Sequence, residues 1–191
     1  APGVVGMTIL FSSIFSGVGL LWDRQFGFLK ETLVAPVPRL QIMAGRTLGG
    51  ATTALIQGTL VLIVCLIAGF RPDLGGVLLG LVFMALIAIV FAALGTIIGS
   101  SLKDMQGFQL VMNFLVMPIF FLSGALYPLA DLPTALTVLT RLDPLSYGVD
   151  GLRGAFIERS HFGVVTDLVI LGALAACFLA LGARAFSRIQ V

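Results

Sequence analysis

Charged residues are scarce in this sequence. Asp, Glu, Lys and Arg make up 10% of its 191 residues, hydrophobic residues make up 59%, and the mean hydropathy is +1.12. A soluble domain of this length needs far more charge to cover its surface. The composition therefore excludes a soluble globular protein, and the net charge of +2 is too small to indicate nucleic-acid binding.

Residues that often carry catalysis or metal binding are also few. The single histidine, His161, cannot form a histidine-based metal site, and we interpret it as a surface loop residue. Cys65 and Cys177 lie in apolar stretches, which favours packing roles over a disulfide. Neither lysine, Lys30 or Lys103, follows a glycine, so the chain has no GxxxxGK[ST] phosphate loop. We expect a protein without an enzymatic site, a metal or a cofactor of its own.

Long uncharged stretches make up most of the chain. They occupy residues 1–22, 47–70, 74–102, 105–130 and, in a shorter block, 168–183. A helix needs about 20 apolar residues to cross a bilayer. The pattern predicts an all-α integral membrane protein with about five transmembrane helices, at 2–22, 47–69, 74–100, 106–126 and a last one ending near 186. No charge lies in the middle of a predicted span, which disfavours a proton- or ion-coupled carrier.

The distribution of basic residues predicts the orientation. Alternating spans place 23–46, 103–104 and the tail from 184 on one side, with seven Lys or Arg and three acids. The other side holds 71–73 and 131–167, with four Arg and six acids. Lys and Arg concentrate in cytoplasmic loops, so the first side is predicted to be cytoplasmic.

The cytoplasmic segment contains a helical pattern over residues 22–34. One narrow apolar stripe is formed by Trp22, Phe26, Leu29 and Leu33. The sequence predicts a short amphipathic helix at the membrane surface, ended by two prolines at 36 and 38. Phe28 projects from the polar face, where it either contacts a partner protein or inserts among lipid headgroups.

The outer segment, residues 127–163, contains two short apolar patterns with helical spacing. They are Leu132, Leu136, Leu139 and Leu142, and then Leu145, Val149, Leu152 and Phe156. Asp143 followed by Pro144 is typical of an N-cap and a first helical residue. Both helices are too short to span and too apolar for water, so we predict a re-entrant hairpin buried against the spans. We expect Asp150 and Arg153 to pair on its wetter face.

A few small and polar residues interrupt the spans. Pairs of small residues four apart, such as Gly76 with Gly80 and Gly95 with Gly99, allow close helix approach, within one chain or between two. Polar residues that could line a substrate path, or bond to a neighbouring helix instead, are Ser12, Ser16, Gln57 and Asn113. Pro118 predicts a kink in the fourth span.

Three stretches resemble the permeases of type-2 ABC exporters. FGFLKETLVAPVPR at 26–39 resembles their cytoplasmic coupling region, and LSGALYPLADLP at 122–133 and DPLSYGVDGLR at 143–153 resemble their outer hairpin. The resemblance implies ATPase-coupling residues at Arg24, Phe26, Phe28, Leu29, Lys30, Glu31, Thr32 and Val34. It implies hairpin residues at Tyr127, Pro128, Leu132, Pro133, Asp143, Pro144, Tyr147, Asp150 and Arg153.

Several expectations follow from this resemblance. The family's permeases have six membrane helices after an amphipathic N-terminal helix, so residues 1–191 would be one transmembrane domain that lacks that helix and the first span. The implied partners are an ABC ATPase, which binds ATP and Mg, a second permease subunit, identical or different, and membrane lipid. The implied function is outward transport of an amphipathic drug or lipid across the cell membrane. A polysaccharide or glycolipid exporter and a non-transporting scaffold remain alternatives.

Overall fold

The computed structural model describes residues 1–28, 37–102, 104–126 and 134–187, and these ranges contain helices and no β-strand. The α-helices are α1 Pro2–Phe15, α2 Val18–Gln25, α3 Arg39–Ile67, α4 Leu74–Ser101, α5 Met105–Val111, α6 Met117–Leu122, α7 Thr134–Leu142, α8 Pro144–Ile157 and α9 Val164–Ser187. A π-helical turn, Met112–Val116, separates α5 from α6.

Five segments are long and apolar enough to cross a membrane. They are Pro2–Asp23, Leu40–Ile67, Leu74–Ser101, Met105–Leu122 and Val164–Arg184. Their number and order confirm the five predicted spans. The chain turns between the second and third spans at 70–73, where Asp73 caps α4 by accepting a hydrogen bond from the Gly76 amide at 3.1 Å. This cap satisfies one of the amides that a helix start leaves without an intrahelical partner.

Two span boundaries differ from the prediction. Helix α3 begins at Arg39 rather than near residue 47, because the prediction used uncharged stretches and stopped at Arg46. Pro38 immediately precedes α3, where its fixed backbone angle suits a helix start. The fourth span ends at Leu122 rather than near 126. Residues 39–46, predicted as cytoplasmic loop, are therefore an extension of the second span.

Helix α4 forms the centre of the bundle. It packs against α1, α3, α8 and α9, and its side chains Phe83, Met84, Ile87 and Phe91 are fully buried. This burial accounts for the apolar middle of α4, and the exposed residues of its first turns, Leu74, Leu78 and Val82, are apolar as well, as suits a membrane-spanning helix. Helices that surround it carry their outward apolar residues towards the membrane.

The small-residue pairs of α4 serve packing within the chain. A Cβ added at Gly95 or Gly99 would overlap backbone atoms of the first span, and one added at Gly76 or Gly80 would overlap α8. Backbones approach this closely only where side chains are absent. The alternative that these small residues serve packing within one chain is therefore confirmed for Gly76 with Gly80 and for Gly95 with Gly99.

The fourth span is irregular where a proline interrupts it. The π-helical turn Met112–Val116 lies directly before Met117 and Pro118. Proline has no amide hydrogen to donate to the preceding turn, and π-helical turns are a common way to accommodate such a break. The kink predicted at Pro118 stays a prediction, and the structure shows this π-helical turn directly before the proline.

Candidate functional site

The cytoplasmic end of the first span differs from the predicted amphipathic helix. Helix α2 continues from the span to Gln25, and Gly27 has a positive φ of 83°. A glycine with left-handed backbone geometry is a common helix terminator. The single helix predicted over 22–34 is therefore wrong at its start, since Trp22 belongs to α2, Phe26 caps it, and Phe28 lies beyond the break.

Three aromatic side chains are exposed around this helix end. Trp22 is 54% exposed, Phe26 72% and Phe28 57%. The exposure of Trp22 and Phe26 agrees with the predicted position at the membrane surface rather than with packing on the membrane helices. Large aromatics at such exposure are typical of a surface that contacts a protein partner or lipid headgroups. We call Trp22, Phe26 and Phe28 the cytoplasmic aromatic surface.

An ion pair fixes this surface to the second span. The Arg46 guanidinium in α3 donates to the Asp23 carboxylate in α2, and both side chains are about two-thirds buried or more. Two buried threonines adjoin this ion pair, since Thr47 directly follows Arg46 and its hydroxyl oxygen is 3.4 Å from that of Thr96. The end of α2 is thus held by a charge-assisted contact beside the core of the bundle.

Several predicted coupling residues lie outside the described part of the chain. For Arg24 the structure gives its position within α2 and nothing of its side chain. The coupling roles of the residues outside the described ranges stay predictions. These residues are Leu29, Lys30, Glu31, Thr32 and Val34.

The outer hairpin contains the predicted helix start. Asp143 accepts hydrogen bonds from the Leu145 amide at 3.0 Å and the Ser146 hydroxyl at 3.1 Å, and Pro144 is the first residue of α8. Burial raises the pKa of Asp143 to about 7, against the lowering effect of these hydrogen bonds. The predicted hairpin residues outside the described ranges are Tyr127, Pro128, Leu132 and Pro133.

The two hairpin helices are buried to different extents. The apolar stripe of α8 is buried against α1, α4 and α9, with Leu145, Val149 and Leu152 fully inaccessible. In α7, Leu139 is 45% exposed and Leu142 75% exposed, because within the described part of the chain this helix packs mainly on α6 and α8. The prediction of a buried hairpin is confirmed for α8 and wrong for these two α7 residues.

Polar residues of α8 take partners that the sequence did not indicate. The Tyr147 hydroxyl donates to the Arg141 carbonyl at 2.7 Å, and burial raises the Tyr147 pKa. The Asp150 carboxylate is buried and accepts from the amides of His161 and Phe162. Arg153 donates to the Gly124 carbonyl at the end of the fourth span.

The predicted pairing of Asp150 with Arg153 on a wetter face is therefore wrong. Both residues have spacing suited to a pair within one helix, but the hairpin inserts Asp150 into the bundle. Arg153 instead joins α8 to the fourth span, and Asp150 joins α8 to the turn before α9. Together these contacts connect the outer hairpin to two spans.

The candidate substrate-path residues do not converge in one protomer. Ser16 is half-buried against Gly50 of α3, with its hydroxyl donating to the Ser13 carbonyl at 2.6 Å, and Ser12 is half-buried nearby in α1. The amides of Gln57 in α3 and Asn113 in the π-helical turn lie on the protomer surface. An intramembrane amide on the surface requires a polar partner or water beyond the protomer.

Comparison with known proteins shows the family. The family model described as ABC-2 type transporter matches residues 1–157. This chain belongs to that family, and its five apolar spans make it a multi-pass membrane protein.

Curated relatives agree with this assignment. The chain is 28% identical over 172 residues to an inner membrane transport permease, YadH, of Escherichia coli K12, covering 89% of this chain and 66% of the relative. It is 27% identical over 173 residues to nodulation protein J of Sinorhizobium fredii, covering 90% and 66%. It is 30% identical over 158 residues to the transport permease ycf38, described as putative, of Porphyra purpurea, covering 80% and 53%. The chain thus spans just under two thirds of the length of the first two.

The sequence analysis missed one polar contact and one buried acid. Asp23 and Arg46 lie 23 positions apart in different helices, so no local spacing rule finds them. Asp167 is completely buried, although the sequence analysis placed it in the outer segment 131–167. An acid in the first turn of an otherwise apolar span was the available signal for Asp167.

Proposed function

We propose that this chain is the transmembrane permease subunit of an ATP-driven ABC exporter, with ATP and Mg bound by a separate ATPase subunit. Its family membership supports a role in transport. The chain contains no phosphate loop of its own. The energy of hydrolysis must then reach it through a protein contact.

The observation that carries the proposal is the cytoplasmic aromatic surface. Trp22, Phe26 and Phe28 are exposed at the end of the first span, and aromatic side chains dominate the energetic centres of protein interfaces. The ion pair between Asp23 and Arg46 connects this surface to the second span. A displacement of the surface by an ATPase would therefore move two spans together.

The substrate proposal rests on polar groups at membrane depth. Gln57 and Asn113 are exposed on the protomer within otherwise apolar spans. Amides facing lipid hydrocarbon would lose hydrogen bonds, so we expect a second permease subunit or a substrate path to cover them. An apolar surface with isolated amides suits an amphipathic drug or lipid.

The proposed location is the cell membrane, with the connection between the first two spans facing the cytoplasm, from the excess of basic residues predicted on that side. Single cysteines at Gln25 and Arg159, both exposed, test this orientation after Cys65 and Cys177 are replaced. An impermeant thiol reagent applied to intact cells should label residue 159 and spare residue 25. The opposite labelling pattern would reverse the orientation.

The function is tested with the full-length protein and its ATPase in proteoliposomes. We expect ATP-dependent movement of an amphipathic fluorescent lipid or drug, which is lost when the phosphate-loop lysine of the ATPase is replaced. Movement of a lipid-linked saccharide alone would favour the polysaccharide alternative. Absence of any ATPase in the purified complex would favour the scaffold alternative.

Interface variants test the coupling surface. Phe26→Ala and Phe28→Ala should each weaken association with the ATPase by about 1–3 kcal/mol if they are interface centres. Ile67→Ala, an 82% exposed residue at the other end of α3, is the matched control and should bind normally. Equal binding by all three variants would show that the surface contacts lipid only.

A further inference from the structure

Three side-chain amides lie in a row on the outward face of the fourth span. Gln106, Gln109 and Asn113 are three and four positions apart, so they are neighbours along one side of the helix. All three are exposed on the protomer. Within the part of the chain that the structure describes, none of their side chains makes a hydrogen bond. We call these three residues the amide row.

The opposite side of the same span packs on the rest of the protomer. The Phe120 ring lies against Phe11 of α1, with a distance of 5.9 Å between the ring centroids. The buried residues of the span follow a helical spacing, and they are Phe108, Met112, Val116 and Phe120. The amide row therefore faces away from the bundle.

Lipid hydrocarbon cannot satisfy the amide row. Asn113 lies near the middle of the span Met105–Leu122, and an amide at that depth loses the hydrogen bonds that water gives it. Large apolar side chains flank the row, with Leu110 59% and Phe114 82% exposed. A water-filled path would leave these two side chains in contact with water. The face therefore suits a protein partner that offers both hydrogen-bonding groups and apolar contact.

The chemistry of the row fits a second copy of this chain. Two copies inserted in the same orientation are related by a two-fold axis along the membrane normal, so a residue near the axis meets its own counterpart at the same depth. A charged side chain repels its copy, whereas a carboxamide both donates and accepts and can bond to another carboxamide. The span Met105–Leu122 has amides at three depths and no charged residue. This composition is self-complementary across a two-fold axis.

We propose that the amide row is the seam of a homodimer, in which Gln106, Gln109 and Asn113 of one protomer form hydrogen bonds with the same residues of the other. Leu110 and Phe114 supply apolar contact beside the row. The expectation of a second permease subunit rests on the proposed function, whereas the position of the seam is inferred from the fourth span. Self-association is measured without the ATPase, so a failure of the seam is distinguishable from a failure of transport.

Opposite charges at Gln106 test whether the row meets its own copy. Gln106 lies in the first turn of α5, where a charged side chain can reach water. Full-length Gln106→Glu and Gln106→Lys chains with different affinity tags are coexpressed. Mixed dimers should exceed dimers of either variant with itself by about fivefold, because only the mixed pair places opposite charges together.

The control for this experiment is a second exposed glutamine at the end of a span. Gln41 lies in the first turn of α3, and Gln41→Glu with Gln41→Lys should associate without preference. Absence of a preference at Gln106, or an equal preference at Gln41, would overturn the seam.

Removal of the amides tests their contribution to association. Gln109→Leu combined with Asn113→Leu should weaken self-association of the purified full-length protein in liposomes by about tenfold. Gln109→Asn combined with Asn113→Gln keeps both amides and should associate more tightly than the leucine variant. Wild-type association of the leucine variant would overturn the role of the amides.

Cross-linking distinguishes the seam from a substrate path and from a lipid-facing surface. Single cysteines replace Leu110 and, as the control, Leu60, which is 57% exposed on α3, in a protein without Cys65 and Cys177. An oxidant should link Leu110→Cys chains into dimers, since residues beside a two-fold axis lie close to their copies, and should leave Leu60→Cys chains unlinked. Without cross-linking, rapid reaction of Leu110→Cys with a charged thiol reagent would indicate a water-filled path, and no reaction would indicate lipid. Either result would overturn the proposal.

Discussion

Arg46 donates a hydrogen bond to Asp23 across the junction between the first and second spans. The two residues belong to helices α2 and α3, and the connection between those helices contains the proposed coupling segment. Under the proposed function, this charged contact would transmit motion of that segment to two spans. Its side chains are 27% and 30% exposed, so solvent screens it only in part.

Breaking this ion pair should impair coupling more than stability. An ion pair that remains partly exposed to water contributes about 0–1 kcal/mol, so Asp23→Arg should change the Tm little while lowering transport per ATP hydrolysed. The double variant Asp23→Arg with Arg46→Asp restores opposite charges and should recover part of the coupling. The measurement is transport and ATP hydrolysis in the same proteoliposomes, and equal loss in the single and double variants would contradict the role.

The close crossing of α4 with the first span predicts that a side chain added at Gly95 destabilises the protein. A Cβ at Gly95 would meet the backbone of Ile14, which cannot move aside as a flexible side chain can. Gly95→Ala should therefore destabilise the protein by about 1–3 kcal/mol. Gly172→Ala is the matched control, since no atom lies within 4 Å of its added Cβ, and it should be neutral or stabilising by up to about 1 kcal/mol. Chemical unfolding in detergent measures the free energy of unfolding of both variants. Similar losses of stability in the two variants would contradict the close crossing.

The unequal burial of the hairpin helices predicts a third result. Leu152→Asp would place an unpaired carboxylate at a fully buried position of α8, which costs several kcal/mol or forces protonation. We expect its folded yield to collapse. Leu142→Asp, at the exposed end of α7, should fold at near wild-type yield. Size-exclusion chromatography of both variants gives the comparison, and normal yield for Leu152→Asp would mean that α8 is not inserted in the bundle.

The sequence was sufficient to predict features that depend on local pattern. Uncharged stretches located the five spans, and Asp143 with Pro144 located the start of α8 because capping is a rule of adjacent residues. The start of α3 was placed too late because charged residues also occur at the ends of spanning helices, as Arg39 and Arg46 do here. Helix ends near water need not follow the limits of the uncharged stretch.

Features that depend on the packing of distant segments were not predictable. Spacing placed Asp150 beside Arg153, yet its partners are amides eleven and twelve residues later, brought close by the turn into α9. Gly27 illustrates another reason. A helical stripe pattern continues across it, but its left-handed backbone ends the helix there. Periodicity reports which side chains are apolar and not where the backbone changes direction.

The buried cap of α8 predicts a pH dependence of stability. Burial raises the pKa of Asp143 to about 7 in the folded protein, against 3.8 for the free side chain. Between these values the folded state binds more protons than the unfolded state, so stability falls as the pH rises from about 4 to 7 and then levels off. Asp143→Asn should remove this slope and retain the cap, because asparagine caps helices as well as aspartate does.

Two substitutions at Asp143 distinguish the loss of the helix cap from the loss of the ionisable carboxyl group. Asp143→Ala should lose about 0.5–2 kcal/mol through loss of the cap, and Asp143→Asn should lose little at pH 7. Both are measured in the Asp167→Asn background, which removes another buried carboxyl group. Asp104→Asn, at the exposed cap of α5, controls for changing a cap carboxylate into an amide and should keep the wild-type slope. A slope between pH 4 and 7 that persists in Asp143→Asn would show that another group causes it.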